Sequence, residues 1–389
     1  MTTSQRRNQR ASVEDLWRKR DGSPSKLDGQ GKRWRARYVD HDGKEVARRF
    51  TRKTDAQTWL NNITSSLVTG SYIAPGAGKA TIRQLHEQWV TTQAGVKATT
   101  KATRETTWRT HVEPYWADTA VGDIEKSAVG TWISQMSDAN TSAATIENAV
   151  SVLRLICAMA VDEKRIVRNP CADLKLPARE HSNRAYLTHQ QVNDLAAEIG
   201  DRYRPLVLFL AYTGLRFGEA VGLQAGDIDI DRRRVHVKRS ITEVSGKLVT
   251  STTKTRKTRT VPYPDFLDAD LRNAITGKAA HEPVFTSPAG GVLRIASFRT
   301  RHFTPAVNRL RGIDDDGKPT TNYPKATMHD LRHSAVSLAI SAGANVKAVQ
   351  TMVGHASAAM TLDTYADLFP DDLELVSAAL SEARARALG

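Results

Sequence analysis

His329-Asp330-Leu331-Arg332-His333 sets an arginine between two histidines at the head of a helical run, Leu331 to Ile340. Upstream, Thr213-Gly214-Leu215-Arg216-Phe217-Gly218-Glu219 supplies a second arginine. Downstream, Val353-Gly354-His355 supplies a third histidine, and Thr361-Leu362-Asp363-Thr364-Tyr365 a tyrosine close to the C-terminus. Taken singly, each has an ordinary explanation. A tyrosine more often packs half-buried, Arg216 can pair with Glu219, and His333 reads as a structural hydrogen-bonding residue. In this order they supply what phosphoryl transfer through a tyrosine requires: one phenolic nucleophile and several fixed cations around one phosphate.

The chemical reason is charge. A phosphodiester under attack builds negative charge on its equatorial oxygens, and positioned cations stabilise that charge more than the ground state. Arginine grips phosphate as a planar fork and stays protonated. A free tyrosine, with a pKa of about 10, is a poor nucleophile at neutral pH until a base or a positive field assists it. Arginines and histidines stand where other phosphoryl-transfer enzymes hold metal ions with carboxylates, so metal-free chemistry is expected. His329 and His333 have metal spacing, but the zinc-protease signature needs Glu where Asp330 stands. No third ligand lies at a natural spacing, so no metal and no cofactor are expected.

The pattern Arg, His-x-x-Arg, Gly-His, Tyr resembles the tyrosine recombinases of the phage-integrase branch, strongly over about the last half of the chain. The resemblance implies that Arg216 and Arg332 clamp the scissile phosphate and that His355 donates a hydrogen bond to it. It implies that His329 assists proton transfer and that Tyr365 forms a 3′-phosphotyrosyl bond, releasing a 5′-hydroxyl. Glu219 matches an acidic position that orients the arginine. The family also uses a lysine on a β-hairpin tip as general acid. Thr252-Thr253-Lys254-Thr255-Arg256-Lys257-Thr258-Arg259 matches that segment, with Lys254 taking the role and Lys257 as the alternative.

The 389 residues allow two or three domains, and a net charge of +14 points to a polyanionic partner, nucleic acid first. Two cysteines, Cys157 and Cys171, do not make a disulfide framework; Cys157 falls in an apolar helical run and reads as core. No stretch reads as a membrane span. Arg6-Arg7 has no apolar run behind it, which argues against a secretory signal. A cytoplasmic setting is expected, with nucleoid association on DNA.

Residues 1 to 70 hold 16 Lys+Arg against 8 Asp+Glu, more than half of the whole net charge. There, Arg33, Arg35 and Arg37 alternate with Trp34, Ala36 and Tyr38, which puts the arginines on one strand face. Asp42-Gly43 supplies a turn into a strand with Val46, Arg48 and Phe50. Thr54 is a candidate cap for a helix with Ala56, Leu60, Ile63 and Leu67 on one side. This resembles the arm-binding domain of integrases, which lays a three-stranded sheet into the major groove. Residues 71–80 read as a Gly/Ala/Pro linker. Residues 81–168 read as helical, with stripes Ile82, Leu85, Trp89 and Ile146, Ala149, Val150, Leu153, Ile156, Met159, the second ended by Asn169-Pro170. They resemble the four-helix core-binding domain, which implies that Lys97, Lys101, Arg104 and Arg109 face phosphates. Residues 169–184 form a second linker.

Residues 185–389 read as a mainly helical catalytic domain with a small antiparallel sheet. A capping box at Thr188-His189-Gln190-Gln191 opens it, and strands around Val235-Val237, Leu248-Val249 and Thr260-Pro262 place Lys254 at a hairpin tip. The fold class expected is therefore α+β, multidomain. Gly354 is expected to end a helix and turn His355 inward. The helix from Leu373 to Ala387, with Leu375, Ala379 and Leu380 near one side, is a candidate for docking on a neighbouring subunit. The reading is a phage or mobile-element integrase. Its partners are double-stranded attachment sites of core and arm type, a homotetramer on DNA, an excision factor and a host DNA-bending protein. The competing readings are a DNA-binding-only relic or repressor and a type IB topoisomerase-like enzyme. A relic should lack a catalytic cation or the nucleophile, and none is missing. A topoisomerase has less use for a basic N-terminal recognition sheet.

Overall fold

In a computed structural model, which describes residues 11–40, 43–179, 184–252, 258–355, 357–365 and 373–388, the strands Ser12–Asp15 (β1), Trp34–Val39 (β2) and Glu45–Phe50 (β3) pair antiparallel in chain order. Period-two alternation in β2 buries Ala36 and Tyr38 against Ala56 and Leu60 of helix Lys53–Thr69 (α1). Arg35 and Arg37 lie on the other face. Gly43 takes φ +82° in the β2–β3 turn; Asp42 lies outside the described residues. Thr54 does not cap α1. The cap position is Arg52, with no side-chain hydrogen bond, so Thr54 falls inside the first turn.

The stretch 71–80 is no loose tether. Tyr72 is buried in the core of the small sheet, its hydroxyl 2.7 Å from that of Tyr38. Val121 N–H donates to Ala80 O at 2.9 Å, so the stretch is held near both of its ends. A capping box at Thr81 and Gln84 then opens Ile82–Thr91 (α2). Ala98–Thr107 (α3), Glu113–Trp116 (α4), Lys126–Asp138 (α5) and Ala143–Asp162 (α6) follow. Ile82, Leu85, Trp89, Ile146, Val150, Leu153 and Ile156 form one buried cluster with Cys157 and Cys171, both free thiols. The helix α6 ends at Asp162, before the expected stop at Asn169-Pro170, because Lys164 turns to φ +56°. Contrary to expectation, α6 is long and apolar enough to cross a membrane. Its apolar face is occupied: Ile146, Val150, Leu153, Ile156 and Cys157 pack into the helical cluster.

The chain divides into two units, Met1–Glu180 and His181–Gly389. The second begins with His189–Glu198 (α7), opened by a capping box of Thr188 and Gln191. Arg204–Thr213 (α8) buries every residue from Leu206 to Ala211, so it forms the centre of the core. Gly214 at φ +63° ends it and delivers Arg216 to the N-cap of Phe217–Ala220 (α9). Ile228–Asp229 (β4), Arg234–Val237 (β5) and Arg259–Pro262 (β8) make one antiparallel sheet, while Arg239–Val244 (β6) and Lys247–Thr252 (β7) make a separate hairpin turning at Ser245-Gly246. Strands β7 and β8 therefore belong to different sheets. Lys254, expected at a hairpin tip, falls between them in sequence and lies outside the described residues. Gly218 lies under β6, where a Cβ would meet Ile241 O at 2.6 Å.

Asp268–Ile275 (α10), Ile295–Phe298 (α11) and Thr304–Arg311 (α12) add Leu271, Phe298, Ala306 and Val307 to the same core. Met328–Ser341 (α13) opens with a capping box of Thr327 and Asp330 and packs on α8. Val346–Val353 (α14) ends at Gly354, φ +69°. Ala358–Tyr365 (α15) and Leu373–Leu388 (α16) follow.

Candidate active site

Glu219 is the anchor of the site. Its carboxylate accepts from Arg216 N at 3.0 Å and Arg216 Nη1 at 3.1 Å. It also accepts from Arg259 Nη1 at 3.0 Å and Nη2 at 2.7 Å. Burial alone would raise the Glu219 carboxyl, but the Arg259 bonds and the two arginine charges outweigh it and hold it below its ordinary value. Arg216 is thus fixed from beneath while a third of its side chain stays accessible.

Arg259 escaped the sequence reading. It belongs to the same basic run as Lys254 and Lys257, which lie outside the described residues. The signal that separates Arg259 is its burial: its side chain is 12% exposed. Its Nε donates to Met352 O at 3.3 Å, and a Cβ at Gly354 would approach that nitrogen to 3.1 Å. Arg259 so links β8 to the turn that presents His355.

Arg332 on α13 is 3% exposed. Its Nη1 donates to Gly214 O at 2.6 Å, across 118 residues of sequence. Its Nη2 is buried with no hydrogen-bond partner among the described residues. Burial first, then the Arg216 charge, push its pKa down to about 9. A buried guanidinium with an open N–H is costly unless an anion comes to it.

The histidines divide the remaining work. His355 follows Gly354 and places Nδ1 2.9 Å from the Thr361 hydroxyl, which leaves Nε2 for a ligand. Burial, then Arg332 and Arg216, hold its imidazole at about 4. His329 is lowered by burial and by the same two arginines. Its ring meets that of His333 edge-on, 4.9 Å between centroids. Tyr365, at the end of α15, is 2% exposed, and its hydroxyl lies 2.7 Å from His333 Nδ1. Its ring lies parallel to that of His355, 6.3 Å away. Burial, partly offset by Arg332, pushes the phenol up to about 12. The charges of Arg216, Arg259 and Arg332 all reach His355, and that of Arg332 reaches Tyr365. The fold therefore gathers Arg216, His329, Arg332, His355 and Tyr365, with Glu219 and His333 behind them. No three His, Cys, Asp or Glu side chains converge on a metal-sized point among the described residues.

The other basic candidates lie in the first unit. Arg33 pairs with Asp15, Arg35 with Glu14, and Arg37 with Glu14 and Glu45. Carboxylates on β1 and β3 thus already occupy the arginine face. Arg104 lies over the Trp89 ring and donates to Gln93, whereas Lys97, Lys101 and Arg109 are exposed.

A model described as the phage integrase family matches residues 185–371, and one for the phage integrase N-terminal domain matches residues 22–69. The integrase of Mycobacterium phage D29 is 27% identical over 331 residues, 81% of this chain and 84% of that protein. Among solved structures, the Tn1549 transposon integrase in complex with a circular intermediate DNA superposes with a TM-score of 0.65 at 21% identity, over 78% of this chain and 99% of that one. A lambda integrase tetramer bound to a Holliday junction gives a TM-score of 0.55 at 19% identity, over 83% and 93%. With both family models matched, and with Arg216, His329, Arg332, His355 and Tyr365 gathered around one site, the chain belongs to the phage integrase family of site-specific tyrosine recombinases.

Proposed function

We propose that this chain is the integrase of a phage or mobile element, cutting and rejoining double-stranded attachment sites through a 3′-phosphotyrosyl intermediate. The observation that carries the reading is Arg332, a buried cation with an open Nη2 beside Arg216 and Tyr365. A scissile phosphate fits there. It would take Arg332 on one side, Arg216 braced by Glu219 on the other, and the His355 Nε2–H. Tyr365 Oη attacks phosphorus, the 3′-side phosphate stays on the enzyme, and the 5′-oxygen leaves as a hydroxyl. Lys254, or Lys257, protonates that oxygen. Strand exchange conserves phosphoester bonds, so no ATP is required, and the arginines and histidines take the place that metal ions hold in other phosphoryl-transfer sites. Four subunits would act on two duplexes through a Holliday junction, as the lambda tetramer is bound. An excision factor and a host DNA-bending protein would set the direction. Leu380 and Leu388 of α16 are exposed and suit docking on a neighbouring subunit.

The test is covalent trapping on a nicked core site in excess EDTA and without nucleotide. The expected result is a DNA adduct whose mapped peptide contains Tyr365. An adduct elsewhere, or chemistry that stops on chelation and returns only with magnesium or zinc, would overturn the proposal.

The small sheet of the first unit would read arm sites. Binding there requires Arg33, Arg35 and Arg37 to exchange Asp15, Glu14 and Glu45 for DNA. In the full chain, Arg35→Ala should weaken arm-site protection by about 1–3 kcal/mol at one base if the arginine reads a guanine. If it only meets phosphate, all sequences weaken alike and the salt dependence flattens. Core-site protection should be unchanged in either case. Footprints showing loss at the core site and no separate arm site would sink the arm reading.

A further inference from the structure

The nucleophile's hydrogen bond is to a residue outside the phosphate-holding set. Tyr365 Oη and His333 Nδ1 lie 2.7 Å apart, and both residues are buried. Tyr186 flanks the pair, edge-on to both rings at 6.3 and 6.4 Å. His329 meets the His333 ring and not the phenol. A residue that takes the phenolic proton directly must touch that oxygen, and His333 does.

The electrostatics favour a neutral, accepting imidazole. Burial, then His329, Arg184 and Arg332, depress it to about 4, while Asp330 alone works the other way. The Asp330 carboxylate is itself engaged by Thr327 and Ala185. At neutral pH the ring therefore carries one proton, and with that proton on Nε2 the Nδ1 lone pair faces the phenol. A phosphodiester bound at Arg332 would add a negative charge beside one of the cations that hold His333 down. The imidazole then becomes more basic when substrate is in place.

We propose that His333 is the proton acceptor for Tyr365, a role that rests on Tyr365 being the nucleophile. As Oη attacks, the Oη–P bond forms and the P–O5′ bond breaks. The phenolic proton passes to His333 Nδ1, and the 5′-oxygen takes its proton from the lysine general acid. In religation the 5′-hydroxyl attacks and gives its proton back to the lysine, the Oη–P bond breaks, and His333 returns its proton to the phenol. A general base of this kind contributes about 10²–10⁴ in rate.

The test uses the full-length protein in single-turnover cleavage of a nicked core site, wild type beside His333→Asn, from pH 7 to pH 10. Asparagine can accept the hydrogen bond but not the proton. The expected result is unchanged core-site affinity with cleavage at least about a hundredfold slower at pH 7. The deficit should shrink as pH rises, because hydroxide replaces the missing base. A loss under threefold, or one equally deep at every pH, would overturn the proposal. Should the asparagine variant bind poorly, His333→Gly with added imidazole is the second arm. Rescue supports the role, and no rescue with DNA binding retained overturns it. The wild-type adduct keeps the two assignments apart. Mapped away from Tyr365, it removes the nucleophile reading and this one with it; mapped to Tyr365 beside a pH-independent variant loss, it removes only the role of His333.

Discussion

Tyr365→Phe should reduce covalent DNA attachment below detection while core-site binding stays within a few-fold of wild type. The substitution deletes one oxygen and keeps the ring. That ring packs with Val336, Ile340, Val349 and Val353, so the helix α15 keeps its seat. The lost hydrogen bond leaves His333 Nδ1 without its partner in a buried place, a cost of about 1–3 kcal/mol. A modest fall in Tm is therefore expected without unfolding. Single-turnover cleavage on a nicked site, read beside a gel shift, checks both halves. A covalent complex that still forms would show that another side chain attacks.

Arg332→Met should slow cleavage by more than about a hundredfold, on the order of 3 kcal/mol of lost transition-state stabilisation. Arg216→Ala should cost a comparable amount. The two should differ in stability. Arg216 is satisfied by Glu219 in the free protein, whereas Arg332 is buried, faces Arg216 and has an open Nη2. Its folded pKa, about 9, lies below the ordinary 12.5. The unfolded chain therefore binds the proton more tightly. The penalty on folding is full below about pH 9 and relaxes only above it. Methionine fills similar space without the charge, so Arg332→Met should melt no lower than wild type when DNA is absent. Stability given up at a site that awaits an anion is a recurrent trade in enzymes. A thermal melt with and without core-site DNA decides it. A variant that melts well below wild type, or one that cleaves normally, would count against Arg332 as a phosphate clamp.

Local chemistry was legible in the chain by itself. The alternation of Trp34 to Tyr38, the capping box at Thr188 and the glycine stop at Gly354 each depend on neighbours a few residues away. So did the order of Arg216, His329, Arg332, His355 and Tyr365, because their residue types carry the chemistry whatever the fold does around them. What escaped was set by partners distant in sequence. Tyr72 read as linker because its partner Tyr38 lies in another element. Arg259 looked like one more base in a basic run until the carboxylate of Glu219, 40 residues earlier, claimed it. Strands β7 and β8 invited pairing as neighbours, yet each found a better edge, β6 for one and β5 for the other. The meeting of His333 with Tyr365 joins residues 32 apart on separate helices. Residue type and order thus determined the kind of chemistry. Tertiary packing decided which cation is braced, which is left open, and which histidine meets the phenol, since burial and hydrogen-bond pairing exist only once distant segments meet.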